Sequence, residues 1–228
     1  MSEKNPVGLR HIAFIMDGNG RWAKARRKRR EYGHVRGAEV FRETVRHCRD
    51  IGIDFVTVYA FSTENWKRPK REVDAIMSIC MKYIDEALVS ELEAAVVFIG
   101  NKNVFDDKMR EKMEMLEKKT AHFPQKICIA LNYGGRAEIV DAVNSLIASG
   151  KTSVTEDDIT GTIYSGVVPP PDMIVRTGGE YRLSNFLMWQ SAYSELYFTD
   201  TLWPDLTFEE IDRIVEEFGK RQRRFGGV

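Results

Sequence analysis

The amino-acid sequence predicts an α/β fold: one domain over residues 1–228, with a mostly parallel central sheet flanked by helices. Three observations predict it. Short apolar runs alternate with longer helix-period segments from end to end. The runs are mostly continuous, as strands covered on both faces require. No internal repeat, low-complexity tract or linker divides the 228 residues, and that length suits one large domain with a substantial core.

The first run, His11-Ile12-Ala13-Phe14-Ile15-Met16, stops at Asp17 and a Gly18-Asn19-Gly20 turn. It predicts a strand over 12–16, and the charged stretch beyond it a helix over 22–48. Further strands are expected over 55–61, 96–99, 127–132, 173–176 and 195–198, and helices over 72–92, 106–121, 137–148 and 208–222. The last helix begins with Thr207 and Glu210 in capping-box spacing and carries Ile211, Ile214, Val215 and Phe218 on one face. In such a sheet ligands bind beyond the carboxyl ends of the strands. Four strand ends there lead into polar, arginine-bearing loops at 17–21, 62–68, 132–136 and 176–182. One such loop means little, but four at one edge suit a large anionic ligand or two of them.

Composition narrows the partners. The 34 basic and 34 acidic side chains cancel, so the global positive field of a nucleic-acid binder is missing. Cys48, Cys80 and Cys128 are odd in number and widely spaced, and read as reduced core thiols of a cytoplasmic protein. The four histidines are dispersed and give no zinc spacing. No apolar run reaches membrane-spanning length, and residues 1–10 have no signal core.

Asp17 beside a Gly-rich turn is informative. The turn offers backbone N–H groups to an anion, and the carboxylate repels that anion unless a cation stands between. A metal-bridged phosphate or diphosphate site follows. A dinucleotide reading of Gly18-Asn19-Gly20-Arg21-Trp22-Ala23 is weaker, because the second strand comes too late for a βαβ unit of roughly 30 residues. Gly150-Lys151-Thr152 does not make a P-loop, since Ser145 stands where the first glycine belongs. The basic run from Lys24 to Arg30 reads as a solvated helix face with one functional arginine; Arg30 and His34 share a face at i,i+4. The 72–92 helix is apolar over more than half its circumference. Core packing explains that by default, and the wall of an elongated apolar tunnel explains the surplus.

Together these stretches resemble the cis-prenyltransferases, most closely the bacterial undecaprenyl diphosphate synthases. The resembling segments are HIAFIMDGNGRWA, Gly33-His34, YAFSTENWKRP at 59–69, NYGGR at 132–136, IVRTGGEYRLSNFLMWQSAYSELYF at 174–198, LWPD at 202–205 and RRFGG at 223–227. They run through essentially the whole chain. The resemblance implies parallel strands flanked by helices, a hydrophobic tunnel between sheet and helices, and a homodimer. It implies condensation of isopentenyl diphosphate onto an allylic diphosphate such as farnesyl diphosphate with Mg2+, giving a long polyprenyl diphosphate, the undecaprenyl precursor of a cell-wall lipid carrier. Asp17 matches the family's metal-linked aspartate, and Gly18, Asn19, Gly20, Arg21 and Trp22 its allylic diphosphate loop, aided by Arg30 and His34. Ser62, Glu64, Trp66 and Arg68 match the substrate-joining motif, with Asn65 assisting proton removal. Arg176, Arg182 and Ser184 match the isopentenyl diphosphate pocket, Glu195 a further metal-associated residue, and Arg223 a tail that reaches the partner's site. A peripheral membrane contact for product release is left open.

Tyr181 departs from the family pattern, standing where many bacterial relatives carry His. Asp106-Asp107 and Asp157-Asp158 both lack the spacing of DDxxD, which disfavours an all-helical trans-type synthase. The competing readings are a non-catalytic isoprenoid-binding subunit and, more weakly, a phosphate-backbone binder using the basic run.

Overall fold

The structure is a computed structural model, and it describes residue 5 and residues 7–221. Six strands form one sheet: β1 (His11–Ile15), β2 (Phe55–Ser62), β3 (Ala95–Ile99), β4 (Lys126–Tyr133), β5 (Met173–Arg176) and β6 (Glu195–Phe198). Their order is β3-β4-β2-β1-β5-β6, and every pairing is parallel. The chain leaves β1 in one direction through β2 and returns to its other side at β5. The strand order therefore reverses between β1 and β5, the position at which open parallel sheets leave a crevice for ligands.

Seven α-helices lie among the described residues: α1 (Asn19–Ala25), α2 (Arg30–Asp50), α3 (Lys70–Val89), α4 (Asp107–Thr120), α5 (Gly135–Ala148), α6 (Glu156–Thr162) and α7 (Phe208–Lys220). Strand bounds agree with the sequence reading to within one residue. The helix expected over 22–48 is in fact two. After Ala25 the N–H of Lys28 bonds Ala23 O at 2.9 Å and that of Arg27 bonds Lys24 O at 3.0 Å, while Arg27 adopts φ +54°. This pair of bonds closes a helix in the Schellman manner, a position normally given to glycine. Gln222, at the end of the last expected helix, lies outside the described residues.

The core has two sides. On one face of the sheet Phe14, Val56 and Val58 pack with Trp203 and with Ile211, Ile214 and Phe218 of α7. The other face carries Ala13, Ile15, Cys128, Ala130 and Ile174 against Phe186 and Leu187. A third cluster joins α3 and α4 to β3 and β4. The outer edge of β3 is capped by α4, where Thr120 Oγ1 accepts from Val96 N at 2.9 Å and Glu117 Oε1 from Phe98 N at 2.8 Å. All three cysteines are unpaired, and burial pushes each thiol up to about 12.

Candidate active site

The four loops picked out from the sequence meet at the carboxyl edge of the sheet. Asp17 leaves β1 beside Arg176, which ends β5, so the two straddle the reversal in strand order. Arg176 Nη2 donates to Asp17 Oδ2 at 2.9 Å, and Arg21 Nη2 lies 3.4 Å from Oδ1. The backbone is fixed as firmly. Gly18 N–H donates to Asp17 Oδ1 at 2.6 Å, and the Thr177 hydroxyl donates to Asp17 O at 2.8 Å. Asp17 keeps one-third of its side chain exposed, whereas Arg176 is buried to 5 %. Arg176 also donates to Ser184 Oγ at 2.7 Å and to the Arg182 carbonyl. Its Nε is buried with no partner. Arg182 itself is exposed and paired with Glu180.

A second cluster centres on Glu72, in the first turn of α3, which the sequence reading missed. Its buried carboxylate accepts from Arg30 Nε at 2.9 Å and Arg68 Nη1 at 3.1 Å, and lies 3.2 Å from His34 Nε2. Burial alone would raise its pKa, but the Arg30 and His34 bonds and the neighbouring guanidinium charges hold it below the ordinary value. Burial lowers the pKa of His34, and Glu72 offsets only part of that. A Cβ on Gly20 would lie 2.6 Å from Arg30 Cζ, so the bare glycine lets that guanidinium settle over the turn. The rest of the basic run is surface. Arg26 lies over the Trp22 ring and reaches Asp205, while Lys24, Arg27, Lys28 and Arg29 are exposed.

Several expected site residues have evident structural partners. Trp22 is buried, with its indole N–H on Asp205 Oδ1 at 2.6 Å. Asn65 forms a reciprocal cap with Ser62: its Oδ1 accepts from Ser62 N at 3.1 Å while the Ser62 side chain accepts from the Asn65 N–H. Trp66 is 41 % exposed, and its indole N–H donates to Asn132 Oδ1 at 2.8 Å. Glu64 Oε1 accepts from Asn185 Nδ2 at 2.9 Å. Burial would raise Glu64, but this and neighbouring hydrogen bonds lower it. Glu195 is not brought to Asp17. It opens β6 opposite Met173, at the far end of the strand from the Phe198–Arg176 pair, and bonds Arg221 at 2.8 Å. Arg223 lies outside the described residues. Tyr181 is exposed, with its ring 5.5 Å from that of Phe198.

Beside the loops lies a cavity of about 360 Å³ between β2–β4 and the facing helices α2 and α3. Met16, Asn19 and His34 line one part; Phe41, Val58, Ile76, Ile129 and Leu131 are among its apolar walls, and Arg49 and Glu93 also border it. Asn19 Oδ1 is buried and unpartnered. On the outside, α2 is tied to α3 and the segment after it by Glu31–Arg71, Arg42–Glu86 and Arg49–Glu93 pairs. A buried carboxylate, Glu138 in the first turn of α5, was also missed. It accepts from Tyr133 Oη at 2.5 Å, Ser165 N at 3.0 Å and Gln190 Nε2 at 2.8 Å, behind the 132–136 loop.

Residues 15–226 match a family described as "Putative undecaprenyl diphosphate synthase". An isoprenyl transferase of Fusobacterium nucleatum is 48 % identical over 222 residues, covering 96 % of both chains. A probable undecaprenyl diphosphate synthase from Campylobacter jejuni superposes with a TM-score of 0.81 at 36 % identity, covering 99 % of this chain and 100 % of that one. Lavandulyl diphosphate synthase from Lavandula x intermedia, in complex with dimethylallyl diphosphate, superposes with a TM-score of 0.90 at 28 % identity over 97 % and 99 % of the two chains. With its motifs at one sheet edge and this likeness along nearly its whole length, the chain belongs to the undecaprenyl diphosphate synthase family of isoprenyl transferases.

Proposed function

We propose that the protein condenses isopentenyl diphosphate units onto an allylic diphosphate, farnesyl diphosphate in the first instance, to make a long polyprenyl diphosphate of the undecaprenyl type. The observation carrying this reading is an apolar cavity bordered by Asn19 and His34, beside the Asp17–Arg21–Arg176 and Glu72–Arg30 clusters. An anionic head group and a hydrocarbon chain need adjoining sites of opposite character.

The arginines bind and orient the two diphosphates, since a planar, permanently charged fork suits phosphate oxygens. Cleavage of the allylic C–O bond puts negative charge on the leaving diphosphate, which Arg21, Arg30 and the backbone N–H groups of Asn19 and Gly20 at the start of α1 stabilise. Arg176 and Ser184 hold the isopentenyl diphosphate. The new C–C bond releases one proton. Asn65, a neutral amide whose Oδ1 is already engaged, orients the 62–68 loop, and the proton passes to a diphosphate oxygen.

The donor set suits Mg2+. Among the described residues no cluster of three or more His, Cys, Asp or Glu side chains could hold a metal alone, but Asp17 offers one part-exposed carboxylate. Mg2+ characteristically takes one or two carboxylates together with substrate phosphates and water. Bound there, it supplies positive charge against the diphosphate leaving group. This chain does not bring Glu195 to Asp17, and its metal role rests on the resemblance alone; we read the protein as a homodimer, which light scattering of the purified protein tests. No helix among the described residues is long and apolar enough to cross a membrane. We read the protein as cytoplasmic, meeting the bilayer at its surface to release product.

Incubation with farnesyl diphosphate, isopentenyl diphosphate and Mg2+ should yield long-chain products resolved by chromatography. Folded wild-type protein that performs no condensation would overturn the reading.

A further inference from the structure

We propose that Asn185 is the positioning residue that sets the second diphosphate pocket against the Ser62–Arg68 loop. This rests on the condensation reading above. Asn185 joins the turn that follows the 176–182 loop to two of the other site loops. Its carbonyl accepts from Gly135 N at 2.7 Å, its Oδ1 from Arg136 N at 2.9 Å, and its Nδ2 donates to Glu64 Oε1 at 2.9 Å. The adjacent Ser184 receives the Arg176 hydrogen bond, so the same turn reaches Asp17 through one guanidinium.

The chemistry requires an amide. Glu64 presents an acceptor and Arg136 a donor, and a side chain of this length must answer both at once. The backbone requires it too. Ser184 and Asn185 have φ +50° and +64°, a left-handed conformation that asparagine tolerates better than most residues. Strain of this kind persists only where surrounding bonds enforce it. The facing loop leaves room for the amide. A Cβ on Gly134 would come within 2.9 Å of Asn185 Nδ2 and 2.7 Å of Thr63 Oγ1. The Tyr59 hydroxyl, 3.4 Å from Ser184 O, supports the turn from beneath.

The decisive test is a polarity exchange. Asn185→Asp keeps the acceptor for Arg136 N–H but sets two carboxylates face to face. It should raise KM for isopentenyl diphosphate by at least about tenfold, roughly the weight of one lost charged hydrogen bond, while KM for farnesyl diphosphate changes much less. Glu64→Gln combined with Asn185→Asp restores an amide–carboxylate pair in reverse, and should return that KM to the value of Glu64→Gln alone. Asn185→Gly keeps the left-handed backbone, deletes both side-chain bonds, and should raise the same KM. Thermal unfolding of each variant identifies any that fails to fold, and KM is then compared among those that do. An unchanged KM in folded Asn185→Asp or Asn185→Gly, or a double variant no better than Asn185→Asp, would overturn the assignment. Inactive wild-type protein would instead count against the condensation reading itself.

Discussion

At the residue scale the site turns on Asp17, whose carboxylate is shared between arginines and turned partly to solvent. Asp17→Asn keeps an acceptor for Arg176 and removes the charge. It should lower kcat by ~10²-fold or more, the usual weight of one electrostatic element, with the melting temperature little changed. Near-normal turnover would remove Asp17 from the centre of the mechanism. His11 offers a prediction about stability rather than activity. Its ring is buried between Thr57 Oγ1 and the Pro169 carbonyl, and burial lowers its pKa to about 4. The unfolded chain takes up a proton near pH 6.5 and the folded one does not. The stabilisation is thus complete above pH 6.5 and is lost as pH falls toward 4, by on the order of 3 kcal/mol. Denaturant melts of wild type and His11→Gln should diverge in that window; parallel curves would refute it. Asp17 was legible as a carboxylate beside a Gly-rich anion-binding turn, Arg30 through its i,i+4 spacing to His34, and Arg176 through its place in an arginine-bearing loop at a strand end. Glu72 was not. A glutamate in the first turn of an apolar helix looks like dipole compensation, and only the approach of Arg30, His34 and Arg68 gives it another meaning.

At the scale of elements, strands were easier to read than helix ends. Continuous apolar runs such as Met173-Ile174-Val175 leave little choice. The break between α1 and α2 was hidden because its left-handed residue is Arg27, where glycine would have announced it. Arg27→Gly removes that steric cost and should stabilise the fold by about 1 kcal/mol, measured as an increase in unfolding free energy. No gain would mean that the arginine side chain compensates for its own strain. Helix α6 was overlooked although Thr155 and Asp158 form a complete capping box, because seven residues show almost no apolar period. Thr207 does cap α7, accepting from Glu210 N at 3.3 Å, but the Glu210 carboxylate accepts from Thr199 Oγ1 instead of closing the box.

At the scale of the whole molecule, the class of fold and the edge carrying the site followed from the alternation of elements. The order of strands did not, because pairing partners far apart in the chain leave no local mark. The surplus apolar face of α3 pointed to a tunnel wall, and a cavity does lie there, but its depth depends on how α2 and α3 settle against the sheet. Ala87→Phe narrows that space and should shift products toward shorter chains on chromatography; an unchanged distribution would place the growing chain elsewhere.

The ties across α2 and α3 bear on how the proposed product would leave. Exposed ion pairs such as Arg42–Glu86 are worth only about 0–1 kcal/mol, because water and salt ions replace either partner almost as well. A seam fastened along its rim by these pairs is held in register, while Val40 and Cys48 on α2 and Val73, Ile76 and Ile84 on α3 hold both helices to the core. Raising ionic strength loosens the fastening further. On the proposed function, a polyprenyl chain longer than the cavity would have to pass this boundary, where polar clasps can part and close again.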